Sequence, residues 1–64
     1  MNPPTPAEIL AARRGAELSQ VEAARVIWTG PRTWQRYESG STAMHPGLYE
    51  LFCLKTNQPH RLPR

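Results

Sequence analysis

A chain of 64 residues has room for one domain, and so short a fold leaves much of its surface wet, which demands a compact core built from neighbouring segments. Hydrophobic residues make up 39% of it, enough for a modest core, while no apolar run approaches the roughly 18 residues that span a bilayer. The net charge of +3 comes from eight cations, seven of them arginine, against five acids, a bias that suits phosphate and base-edge recognition but does not by itself establish it.

The lead through Met1, Asn2, Pro3 and Pro4 has nothing to bury and lacks the charged-then-apolar layout of a signal peptide, so a cytoplasmic protein of a bacterial cell is expected. Cys53 stands alone, which excludes an internal disulfide and a cysteine-paired zinc site and agrees with a reducing compartment. Neither internal repeats nor period-two alternation is present. Four segments read as helices, so the expected fold is all-α: one compact four-helix domain over residues 1–64, with an ordered core at about residues 5–57 and frayed ends.

The first helix is predicted to start at Thr5, where T-P-A-E supplies a capping hydroxyl, a proline at the first helical position, and Glu8 to reach back to the cap. Ile9, Leu10, Arg13 and Ala16 share one face, and Gly15 weakens the end. Ser19 and Glu22 repeat the device in S-Q-V-E for a second helix running through Ala23, Ala24 and Ile27. The chain then turns near Thr29 and Gly30. Pro31 opens a third helix, which Gly40 stops. Within it Trp34 and Tyr37 face inward while Arg32, Gln35 and Arg36 share the outward side. A fourth helix is expected from Pro46 to about Thr56, ended by Asn57 and Pro59.

Two helices joined by a turn of a few residues, the second presenting arginine and glutamine outward, form the geometry that places a helix in the major groove of duplex DNA. Arginine can donate two hydrogen bonds to guanine and glutamine can pair bidentately with adenine, so these side chains discriminate bases as well as attract phosphate.

The segment LSQVEAARVIWTGPRTWQRYESG, Leu18–Gly40, strongly resembles the Cro, lambda-repressor and XRE family of helix-turn-helix regulators, without a gap. Leu18, Ser19, Gln20, Glu22 and Ala24 match the family's second helix, and Thr33, Trp34, Tyr37, Glu38 and Gly40 its third. Looser similarity extends over Thr5 to Thr56. The run around Trp34 to Gly40 is also similar to short phage and plasmid autorepressors, including those associated with anti-CRISPR operons.

The resemblance implies a lambda-repressor-like fold and transcriptional repression by operator occupation, with no cofactor. It implies base contacts from Arg32, Thr33, Gln35 and Arg36, and backbone-phosphate contacts from Gln20, Thr29, Ser41 and Thr42. It also implies a structural ion pair between Arg13 and Glu38 that locks the first helix onto the third. Two departures stand out. Trp28 replaces the glycine usual in the turn, and a bulky residue in a left-handed conformation costs about 1 kcal/mol or more, so an altered turn is expected. Pro31 removes a polar side chain from a position the family often uses on bases.

Other residues read more plainly. Arg14 and Arg25 are expected to be solvated surface charges, and His45 to cap a helix or to approach the DNA backbone. No motif spacing links His45, Cys53 and His60 into a thiol catalyst or a metal site, so neither catalysis nor metal binding is expected. In the fourth helix Leu48, Tyr49, Leu51, Phe52, Cys53 and Leu54 spread around most of the circumference, more than one small core should cover. That excess predicts a homodimer on a palindromic operator, with Tyr49, Phe52 and Cys53 in the interface. The alternative function is a protein-binding module on the same fold, such as a phage inhibitor of a host protein.

Overall fold

The computed structural model describes residues 2–57, and over them the chain forms four α-helices and no strand: α1 (Pro6–Gly15), α2 (Gln20–Val26), α3 (Pro31–Ser39) and α4 (Pro46–Lys55). The tail from Gln58 to Arg64, His60 included, lies outside the described residues. The all-helical, four-helix expectation holds. Among the described residues no helix is long and apolar enough to cross a membrane.

Local chemistry sets the helix starts. Thr5 Oγ1 accepts the Glu8 backbone N–H at 3.1 Å, and Glu8 Oε1 accepts the Thr5 N–H at 2.8 Å. Ser19 and Glu22 make the same reciprocal pair at 3.1 and 2.8 Å at the head of α2. Two otherwise orphaned amides are thereby satisfied at each start. No side chain caps α3, which opens on Gly30 and Pro31. His45 caps α4, its Nδ1 accepting the Gly47 N–H at 2.9 Å.

The helix ends carry more strain. Gly40 closes α3 in the left-handed region at φ 85°, where glycine is free to sit. Glu17, Trp28 and Asn57 take up positive φ of 59°, 54° and 61° beyond α1, α2 and α4, where a side chain costs about 1–2 kcal/mol. Trp28, expected to alter the turn after α2, is one of these three. The turn closes with the Thr29 N–H on the Ala24 carbonyl at 2.9 Å, and Trp28 itself takes up the left-handed conformation that glycine would have filled. It can do so because its ring stays outside, 76% exposed, with the Lys55 ammonium 4.0 Å from the ring centroid.

The core draws on every helix: Ile9 and Ala12 from α1, Ala23 and Ala24 from α2 with Ile27 just beyond it, Trp34 and Tyr37 from α3, and Tyr49, Phe52 and Cys53 from α4. Met44, in the loop before α4, is fully buried among them. Trp34 lies at the centre, edge-on to Tyr37 at 6.3 Å between ring centroids and tilted against Phe52 at 4.9 Å. Helix α3 packs on α2 and α1, and α4 packs on α2, where alanines offer no more than a methyl group to hold neighbours away. Pro4 is buried, contrary to the expectation that the lead had nothing to bury.

The assignment of Tyr49, Phe52 and Cys53 to a dimer interface is overturned. They are 4%, 0% and 1% exposed, because their i, i+3, i+4 spacing puts them on one stripe that the chain's own core covers. Leu48 and Leu51 lie half-buried against that core, leaving only Leu54, at 58%, turned outward among the large apolar residues of α4. A small core thus absorbs more of this helix than its composition suggested.

Glu17 is the place to relieve strain, since it is exposed and its carboxylate sits just past the negative end of α1. Glu17→Gly is expected to stabilise the fold by about 1 kcal/mol, raising Tm by roughly 4–8 °C. A thermal unfolding curve with no upward shift would contradict this account of the turn.

Candidate nucleic-acid interface

The site is built on α3, whose two faces differ. Trp34 and Tyr37 are buried, Thr33 and Glu38 are half-buried, and Arg32, Gln35, Arg36 and Ser39 are exposed. Among the described residues the side chains of Arg32, Gln35 and Arg36 make no hydrogen bond or ion pair. Two guanidinium groups and one amide therefore stand with their donors unspent along a single helix face.

What holds that face in place is Glu38, near the far end of α3. Its Oε2 accepts from Arg13 Nε at 2.6 Å and from the Trp34 indole N–H. Its Oε1 accepts from Arg13 Nη2 at 3.2 Å and from Gln20 Nε2 at 3.1 Å. Arg13 Nη1 donates onward to the Leu18 carbonyl at 3.1 Å, in the loop between α1 and α2. One carboxylate thus ties α3 to α1 and to the start of α2, with both partners of the ion pair mostly covered. Burial works against ionising Glu38, but the hydrogen bonds from Arg13, Trp34 and Gln20, together with the charge of Arg13, outweigh it and hold the carboxyl below the ordinary carboxylate range.

The residues assigned to phosphate flank this helix unequally. Thr29 is half-buried in the turn before α3, and Ser41 and Thr42 are exposed just after it. Ser39 Oγ donates to the Arg36 carbonyl at 3.1 Å and lies 2.9 Å from Ser41 Oγ. Either hydroxyl of that pair can be the donor, so Ser41 shares its hydrogen bonding with Ser39. The Thr42 side chain makes no hydrogen bond among the described residues. Gln20 has a structural duty that sequence reasoning missed, since its amide is half-buried and spends one N–H on Glu38.

The inward-facing indole of Trp34 also has a polar role, since its N–H donates to Glu38 one helical turn away. That i, i+4 spacing was a signal available in the sequence. Nothing in the spacing of Gln20, eighteen residues from Glu38, could have announced its bond. Arg14 and Arg25 are exposed, as expected. Cys53 is closed off from any substrate: it is buried, and burial pushes its thiol pKa up against a lowering hydrogen bond with Tyr49.

No known protein-family model matches the chain. A stretch of 37 residues, 58% of the chain, is 43% identical to part of the Type II methyltransferase M.MspI from Moraxella sp, and it spans only 9% of that protein's length.

Because the folded-state pKa of Glu38 is depressed, its network contributes fully above the ordinary value of 4.5, and the contribution is lost as pH falls through the lower folded value. Glu38→Gln should cost about 3 kcal/mol in urea unfolding at neutral pH, by leaving Arg13 without its counter-charge. The gap from the parent protein should narrow as pH falls below 4.5 and close once the parent's own carboxyl is protonated at its lower folded value. A gap that stays constant down to acid pH would show that the ionised network is not what holds α3.

Proposed function

We propose that the chain is a sequence-specific duplex DNA-binding protein of the Cro, lambda-repressor and XRE kind, which places α3 in the major groove and represses transcription by occupying an operator. The observation that carries this reading is the state of Arg32, Gln35 and Arg36: exposed, without side-chain partners among the described residues, and mounted on a helix whose opposite side is held by Trp34, Tyr37 and Glu38. A groove-reading helix needs both properties. Free donors are required to read base edges, and a fixed helix avoids the cost of ordering the reading surface on binding.

In this reading Arg32 and Arg36 donate to guanine edges, Gln35 pairs with adenine, and Thr33, at the flank, meets a thymine methyl or a phosphate. Thr42 and Thr29 contact the backbone on either side of α3. Gln20 spends one amide N–H on Glu38 and keeps the other for a phosphate, which couples backbone contact to the pose of α3. Two copies on a palindromic operator would double the sequence read, using a surface other than the internal Tyr49, Phe52 and Cys53. We assign binding and no catalytic step. The likeness to the Type II methyltransferase M.MspI extends over 37 residues, 9% of that protein, and no activity is carried over from it.

Selection of bound duplexes from a random pool, followed by titration at several salt concentrations, tests the reading. A preferred sequence should emerge, with log K falling by about 0.9 per phosphate neutralised for each unit of log salt. Arg32→Ala and Arg36→Ala should each cost about 1–3 kcal/mol and relax preference at one base, whereas Thr42→Val, which leaves the Glu38 network intact, should weaken all sequences alike. Equal losses on selected and random duplexes for the arginine variants would reject their base-reading roles. A salt-independent interaction would reject duplex binding in favour of a protein partner.

A further inference from the structure

A second exposed feature, the turn at Trp28, immediately precedes α3 in the chain. Trp28 holds a left-handed conformation that glycine would hold freely, and it exposes 76% of its surface. Its indole N–H makes no hydrogen bond among the described residues. Lys55, the last residue of α4, sets its ammonium 4.0 Å from the ring centroid and so links the turn to another helix. Arg25, one turn earlier on α2, is exposed and adds a second cation on the approach to the turn.

We propose that Trp28 and Lys55 form an auxiliary clamp on the sugar-phosphate backbone of duplex DNA, outside the base pairs that α3 reads; the proposal rests on the duplex-binding reading above. Lys55 neutralises a phosphate, and the indole lies against the adjoining sugar with its N–H directed to a phosphate oxygen. Charge favours this occupant. A polyanion complements a ring with Lys55 over it and Arg25 three residues before it in the chain, whereas a second copy docked symmetrically on the same patch would bring like cations together. Continuity favours it as well. Trp28 lies three residues before Pro31, at the end of α3 whose first residues reach the base edges when such a helix enters the groove. An exposed, pre-positioned aromatic beside a cation is also a sequence-tolerant contact, suited to backbone and not to base reading.

Tryptophan emission reads the clamp directly, since Trp34 is fully buried and only Trp28 is open to a collisional quencher. The full chain is titrated with duplex while binding is followed independently by the anisotropy of a labelled duplex, and acrylamide quenching is measured free and bound. Trp28→Phe identifies the quenchable emission. Saturating duplex should lower the quenching constant several-fold, and Lys55→Gln should make the log K against log salt slope shallower by about 0.9, equally on selected and random sequences. Duplex binding with quenching and slope both unchanged overturns the clamp and leaves the role of α3 standing. Absence of duplex binding overturns both. Protection of Trp28 on raising protein concentration without duplex assigns the patch to a second copy and overturns the clamp.

Discussion

The carboxylate of Glu38 is the constraint on which the rest of the arrangement depends. Four donors from three side chains converge on its two oxygens, and those side chains come from α1, the start of α2 and α3 itself. A mostly covered charge is costly unless its lone pairs are filled, and here they are filled by the groups that most need placing. The reward is geometric more than energetic. An ion pair of this kind adds little net stability as a whole, but it discriminates sharply against any pose of α3 in which one of the donors is left unanswered.

Aromatic packing supplies what the polar network cannot. Trp34 contributes to both, its ring against Phe52 and Tyr37 and its N–H on Glu38, so rotation of α3 would break hydrophobic and polar contacts together. With α3 held along its inner side, the outward arginines and glutamine are positioned by the helix beneath them and need no bonds of their own. That division is why the proposed reading surface can carry unspent donors on a domain with so little core.

Economy of size shows elsewhere. Met44 enters the core from a loop, Pro4 is buried although it precedes the first helix, and α4 gives the interior one stripe and rests its half-buried leucines against the edge. The strained residues sit where helices end and solvent begins. Glu17 and Trp28 take positive φ without being glycine, and the conformational cost stays outside the packed interior.

By itself the sequence determined the helix starts and the two-faced character of α3, because these rest on interactions within four residues: Thr5 with Glu8, Ser19 with Glu22, and aromatic and basic positions at helical spacing. The Arg13–Glu38 pair was legible only through likeness to a family, since twenty-five residues separate the partners and no local rule joins them. Tertiary structure alone decided which apolar residues of α4 go inside, that Gln20 turns toward Glu38, and that Trp28 accepts a left-handed turn beneath Lys55. In each of these the outcome depends on which segments meet across space, and periodicity along the chain carries no record of that.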